Sequence, residues 1–232
     1  MGFVQRVLSM FEDKRELLDL SCFNDPVALQ VSWAPLVRGG TNFCTHRAQL
    51  DESLGGSRLV FKTTPAVYGF CILFMAIGVI GLLGSLAVLF GVAGADGSGG
   101  LFGVVPCVFL VVGWLLLRWF RSKEAHFEQF SGQFTQGGAV HSLHDVRAIQ
   151  LIREYVRGDK SSYYSYELNL VRGDASRLNV TDHGSLRLIR ADADLLARYL
   201  SMPVWDAIDH RIPEAALGLE AKADVVGRNL FG

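Results

Sequence analysis

A chain of 232 residues can hold one or two ordinary domains, and this one is half hydrophobic with only 19% charged residues, against roughly 25% in soluble proteins. Its 22 basic and 23 acidic side chains give a formal net charge of −1, which excludes the basic face that nucleic-acid binding needs. Cys22, Cys44, Cys71 and Cys107 form neither a CxxC pair nor a disulfide-scaffold spacing, so they read as small hydrophobes in a reducing compartment.

Residues 1–20 read as an N-terminal amphipathic helix, with Val4, Val7, Leu8 and Phe11 on one face and a charged run over 12–16 behind them. No continuous apolar core or small-residue cleavage site is present, so this is no signal peptide, and the N-terminus is expected to start in the cytosol. The apolar face suits a membrane surface, or equally docking on the rest of the chain or a partner. Val27, Leu29, Val31 and Trp33 then alternate with Ala28, Gln30 and Ser32, which predicts a half-buried strand ended by Pro35. A turn at Gly39-Gly40 precedes a second strand over 43–50, and Gly55-Gly56 precedes a third over 58–63.

That third strand runs into the most distinctive part of the chain. No charged or histidine side chain occurs over 63–95 or over 97–117. About 20 apolar residues cross the roughly 30 Å of a bilayer's hydrocarbon, so spans are predicted over 66–92 and 101–120. The glycine-rich linker 93–100, with Asp96 its one charge, makes the two helices antiparallel neighbours. Arg58 and Lys62 precede the first span, and Arg118, Arg121 and Lys123 end the second beside Trp114, Trp119 and Phe120. Positive charge at both outer ends predicts that both soluble ends are cytoplasmic and that the linker faces out. Gly78, Gly81 and Ser85 form a small-residue stripe that permits close helix packing, against the second helix through Gly103 and Gly113 or against another copy. With no ionisable residue inside the apolar runs, the usual mark of an ion path is missing.

After the hairpin, short strands are predicted over 126–130 and 133–136 around Gly132, and a longer one over 146–156. Tyr164, Tyr166, Leu168 and Leu170 alternate with Ser165, Glu167 and Asn169, and a turn at Gly173-Asp174 leads to a strand over 177–181, giving an antiparallel pair. Leu186, Ile189, Ala193, Leu196 and Leu200 share one face of a closing helix that Asp182 or Ser185 could cap and Pro203 stops. The expected organisation is an N-terminal helix (1–20), a split β domain (27–64 and 125–206) around the hairpin (66–120), and a loose tail (207–232).

Some seven antiparallel strands closed by one helix follow the order of a pleckstrin-homology-like barrel. The stretches YYSYELNLV (163–171), RLNVTDHG (177–184) and ADADLLARYLSMPVWD (191–206) carry a resemblance to a group of uncharacterised bacterial inner-membrane proteins whose β domain is interrupted by two membrane helices. The resemblance spans about 33–206. It implies a membrane hairpin inserted in an α+β, PH-like cytoplasmic domain, and a multi-pass protein of the inner membrane; it implies no activity.

Chemistry-bearing residues are sparse. His141, His144, Asp145 and His183 are too few and too poorly spaced for a zinc signature, and read as turn or surface residues. Asp182-His183 reads either as an acid/base couple or, more simply, as a capping turn with Gly184 at positive φ. Ser21 and Ser185 lack a GxSxG elbow. No catalytic, metal or cofactor site is therefore expected. Tyr155, Tyr163 and Tyr164 around the polar loop of Arg157 and Lys160 form a candidate interaction surface for a partner or lipid headgroup; cross-strand packing explains alternate tyrosines equally well. The expectation is a membrane-anchored, non-enzymatic interaction or scaffold protein, with a subunit of an oligomeric pore or a transporter accessory as the alternative and a hydrolase using Asp182 and His183 as a third. Its partners would be the lipid bilayer and a protein or further copies of itself, and no nucleic acid.

Overall fold

The computed structural model describes residues 15–51, 58–91, 99–158 and 161–218, with side chains of the second long helix described from Gly103 onward. In chain order the elements are α1 (Pro26–Gln30), β1 (His46–Asp51), β2 (Arg58–Thr63), α2 (Pro65–Leu89), α3 (Gly99–Ser122), β3 (Ala125–Glu128), β4 (Gln133–Gln136), β5 (Ala139–Ser142), β6 (Val146–Val156), β7 (Tyr163–Arg172), β8 (Arg177–His183), α4 (Leu186–Leu200) and β9 (Val204–Asp206). The protein is α+β, with two sheets and two long apolar helices. It divides into two compact units, one of residues 44–142 and one of residues 1–43 with 143–232, so the stretch 27–64 is shared between them.

The unit of residues 44–142 is an antiparallel meander of five strands, in the order β1-β2-β3-β4-β5, interrupted by the two long helices. β2 and β3 flank the helices in sequence and pair directly, Phe61 opposite Ala125 and Leu59 opposite Phe127. Strand alternation puts Leu59, Phe61, Phe127 and Phe134 on one buried face, where Phe127 and Phe134 stack with ring centroids 4.7 Å apart. Arg47, Lys62 and His126 fall on the other face. β5 was not expected: Gly137 and Gly138, at φ of 59° and 84°, make a tight turn that lets four residues return along β4.

The other unit is built on a four-stranded sheet in the order β8-β7-β6-β9, in which β9 runs parallel to β6. On one face α4 packs against β6, β7 and β9, burying Ile189, Ala193 and Leu196. α4 ends at Leu200 because Ser201 turns into the left-handed region at φ 56° ahead of Pro203. Ser185 is its N-cap residue, but without a side-chain cap bond. The opposite face is covered by the N-terminal segment: Leu18, Val27, Ala28, Val31 and Trp33 form one apolar cluster with Ala148, Val171, Trp205 and Ala207.

Three expectations need correction. The predicted strand over 27–33 is instead helix α1. Asp25 caps it by accepting the Val27 N–H at 2.8 Å, Pro26 sits at its first turn, and the buried positions Val27, Ala28 and Val31 have helical spacing while Leu29 points to solvent. Beyond it Trp33 lies in the core, stacked on Phe23 at 5.3 Å. The tail is not loose from its start. Ala207 and Ile208 are buried, and Arg211 pairs with the segment at Leu17 through Arg211 N to Glu16 O at 2.8 Å and Leu18 N to Arg211 O at 2.9 Å. Residues 219–232 lie outside the described residues, as does the expected N-terminal helix up to residue 14; from Leu20 to Phe23 the chain makes a 3₁₀ turn. Finally, Gly184 does not adopt positive φ: it is glycine because a Cβ there would lie 2.4 Å from the Asn42 carbonyl oxygen.

Candidate membrane anchor and interaction surface

α2 spans 25 residues and α3 spans 24, so each is long enough at 1.5 Å per residue to cross a bilayer. A buried helix pair of a soluble protein would hide most of its surface. Here only 6% and 17% of the most apolar stretches of the two helices are covered by the protein. Ile72, Ile80, Leu83, Val104, Val111 and Leu115 all stand exposed. The two helices could therefore cross a membrane.

The helices pack on each other through glycines. A Cβ on Gly78 would meet Leu110 Cγ at 2.7 Å, Pro106 O at 2.8 Å and Leu110 N at 2.9 Å, and one on Gly113 would meet Met75 Cγ at 2.7 Å and Cys71 O at 3.1 Å. Gly81 makes room for the Pro106 ring, 2.8 Å from where its Cβ would lie. Ser85 Oγ donates to Gly81 O at 2.9 Å, one turn back on its own helix. The predicted stripe therefore faces Pro106 and Leu110 of α3 at Gly78 and Gly81. Gly103, expected to contribute, has no neighbour among the described residues within 4 Å of where its Cβ would lie, and the same holds for Gly84.

At the base of the hairpin the helices are tied to the sheet. Thr64, which precedes α2, donates its N–H to Thr45 O at 2.9 Å and its hydroxyl to Cys44 O at 3.0 Å. The Thr63 N–H donates to Glu124 Oε1 at 3.1 Å. His46 is buried, with Nε2 2.9 Å from the Phe120 carbonyl oxygen and Nδ1 3.0 Å from the Thr45 hydroxyl. A carbonyl only accepts, so Nε2 carries a proton and donates it to the Phe120 oxygen.

The structure separates the tyrosines of the candidate interaction surface. β6 and β7 pair with Tyr155 opposite Tyr164 and Val156 opposite Tyr163, so Tyr163 falls on the other face of the sheet from the first two. Tyr155 and Tyr164 are about half exposed with ring centroids 5.2 Å apart, and the Arg153 guanidinium lies 4.3 Å from the Tyr164 centroid. Arg157 is exposed near them in sequence, and Lys160 lies outside the described residues. Tyr163 instead donates its hydroxyl to Gly40 O at 2.8 Å.

Tyr163 belongs to a polar row on the sheet face opposite Tyr155 and Tyr164. Ser165, Glu167, Asn169 and Gln150 are all buried beneath the segment 32–42. Glu167 accepts the Leu36 N–H at 2.9 Å and the Val37 N–H at 3.3 Å; Arg177 donates to Ala34 O at 2.6 Å, and Gln150 to Ser32 O at 3.2 Å. A segment without regular structure thus has its backbone groups met by side chains of the sheet. Burial pushes the Glu167 carboxyl above its ordinary value near 4.5, against the pull of Asn169, the Val37 N–H, the Arg177 charge and the Leu36 N–H. Burial likewise lowers the Arg177 guanidinium, and the Glu167 charge opposes that. The signal for this row was the density of amide and carboxylate side chains at alternate positions, which strand pattern alone assigns to water.

The remaining candidates diverge. Asp182 lies opposite Glu167 and His183 opposite Tyr166, so the two consecutive side chains leave the strand on opposite faces of the sheet. His183 Nδ1 accepts the Ser185 N–H at 3.2 Å, which is a turn function. His141 stacks on Phe134 at 5.8 Å, and Asp145 pairs with Arg172 at 3.4 Å. Among the described residues no group of three or more His, Cys, Asp or Glu is placed to hold a metal ion. Compared with known proteins, the chain matches no family model, no curated protein and no solved structure.

Proposed function

We propose that this is a membrane-anchored, non-enzymatic interaction protein, held by a two-helix hairpin with its folded parts on the cytoplasmic side of a bacterial inner membrane. The observation that carries the reading is the apolar surface of α2 and α3, left bare by the rest of the protein. Basic residues at both outer ends of the hairpin support the orientation. Two antiparallel meanders followed by one amphipathic helix support the PH-like resemblance, to which the parallel strand β9 is an addition. Tyr155, Tyr164 and Arg153 form the surface best suited to a protein partner: rigid aromatics beside an arginine are the residue types enriched where partners bind.

Labelling single cysteines with a membrane-impermeant maleimide tests the anchor. Asp96→Cys reacts from outside intact cells, and Asp174→Cys reacts only after lysis, with the chain retained through an alkaline carbonate wash. Release by carbonate, or the reverse labelling pattern, overturns the reading. Ion conductance in liposomes carrying the purified chain would favour an oligomeric pore instead.

A further inference from the structure

We propose that residues 35–41 form a strap that lifts off the four-stranded sheet as one piece while the rest of its unit stays folded, with the Glu167 carboxyl as the fastening. The proposal is independent of the membrane reading above. From Leu36 to Gly39 the side chains of this segment are exposed, Leu36 by 43% and Val37 by 40%, so lifting it uncovers little apolar surface. Side chains of the sheet hold it by its backbone. The Leu36 and Val37 N–H groups both donate to Glu167, the Gly39 N–H donates to Glu154 Oε2 at 3.0 Å, and the Tyr163 hydroxyl donates to Gly40 O at 2.8 Å. A hydrogen bond exchanged for one to water contributes little, and a segment held by such bonds opens before the apolar core beside it. That core supplies the hinge: Trp33 is fully buried, and its backbone N–H donates to Ala216 O at 2.9 Å.

The closed strap carries two costs that lifting relieves. Ser165 is 2% exposed, and its hydroxyl meets no hydrogen-bond partner among the described residues; water reaches it once the strap is up. The second cost is Glu167 itself. Asp182 stands opposite it on β8, Glu154 and Tyr163 lie on the same sheet face, Arg177 of β8 supplies the positive charge there, and Arg38 is carried by the strap. Burial outweighs the Arg177 charge and the donated N–H bonds, so the carboxyl is raised while the strap is closed. Lifting returns it to water and to its ordinary value near 4.5. The contribution of Glu167 to closure is therefore fully present below that value and is lost as pH rises through the raised one.

Amide hydrogen exchange of the full chain in detergent micelles tests this, read by mass spectrometry on peptides covering 35–41 and 168–171 of β7 and corrected for the intrinsic rate at each pH. In the native chain 35–41 opens about tenfold or more as often as β7. Its opening constant rises with pH by up to about tenfold per unit between the two carboxyl values and is level above them. Glu167→Gln, which has no proton to lose, makes the opening constant independent of pH. A Cβ on Gly40 would run into Ser165 Oγ and Asp182 Oδ2 and lie 3.1 Å from Ser165 Cβ, so turning the hydroxyl aside does not make room. Gly40→Val is thus a wedge, and raises exchange of the strap about tenfold at every pH while β7 stays protected. Exchange of 35–41 in step with β7 in the native chain means that the strap opens only when the whole unit unfolds, and overturns the proposal without recourse to any variant. A pH dependence that persists in Glu167→Gln removes Glu167 as the fastening and overturns it as well.

Discussion

Replacing Gly78 by Ala should loosen the helix pair, and the structure sets the size of the effect. The new methyl carbon would lie 2.7–2.9 Å from three atoms of α3, two of them backbone: Pro106 O and Leu110 N. Ordinary contact for such pairs is about 3.5–4.0 Å. Backbone cannot swing aside as a side-chain tip can, so α3 must retreat by roughly 0.7–1 Å, and the contacts around Pro106 and Leu110 open with it. Overpacking of this kind costs about 1–3 kcal/mol, a factor of roughly 5 to 150 in the unfolding equilibrium. Gly84→Ala and Gly103→Ala are matched controls, because among the described residues neither methyl group meets anything within 4 Å. Unfolding in mixed micelles of rising dodecyl sulfate fraction, followed by far-UV circular dichroism, should show Gly78→Ala unfolding earlier and both controls within about 0.5 kcal/mol of the native chain. If all three variants unfold together, the glycine contact does not hold the hairpin.

The remaining predictions concern the other unit. Trp33→Ala removes a fully buried indole stacked on Phe23 and bonded to Ala28 O at 2.9 Å, and should cost about 3–5 kcal/mol in chemical denaturation. Tyr163→Phe loses one hydrogen bond to the covering segment and should cost about 1 kcal/mol, while Tyr155→Ala with Tyr164→Ala, both half exposed, should leave stability nearly unchanged but weaken capture of a partner in affinity purification. The Glu167 carboxyl is raised by burial, so over the pH range from its ordinary value near 4.5 up to its raised value the folded chain keeps a proton that the unfolded chain has lost. Its contribution is fully present below that range and is lost as pH rises through it. The stability difference between the native chain and Glu167→Gln should therefore shift across that window and stay flat outside it; a flat difference throughout would refute the burial argument.

The long helices were legible because absence of charge over more than 20 residues has few other causes, and their register proved good to a few residues at each end. β2, β4 and β6 and helix α4 were legible from periodicity and punctuation alone. Residues 27–33 misled because V-A-L-Q-V-S-W satisfies strand alternation as well as helical spacing; the arbiter was Asp25-Pro26, a cap and a first-turn proline, rather than the apolar pattern. β9, with three residues, is too short to carry a period and depends on β6, distant in sequence, while β5 depends on the Gly137-Gly138 turn that returns it along β4. The candidate surface was half legible. Alternation shows that Tyr163 and Tyr164 face opposite ways, but only the covering segment 32–42 decides which of them meets water.

The junction between the β2–β3 pair and the helix pair poses a geometric problem that explains several residues at once. Neighbouring strands lie about 4.8 Å apart, whereas packed helices lie about 8–10 Å apart. The chain must therefore splay where β2 enters α2 and where α3 returns to β3, and backbone groups at a splay lose their ladder partners. Left unmet away from water, each would cost several kcal/mol. Here they are met from outside the pair: Thr45 O and Cys44 O take the two Thr64 donors, Glu124 takes the Thr63 N–H, and His46 donates to Phe120 O. Three of those partners come from the residues leading into β1 or opening it, so β1 closes the junction as well as extending the sheet. β1 and β2 precede both helices in the chain and β3 follows them. The sheet is consequently completed only after the second helix has been made, and a chain cut short before β3 leaves β2 with a bare edge.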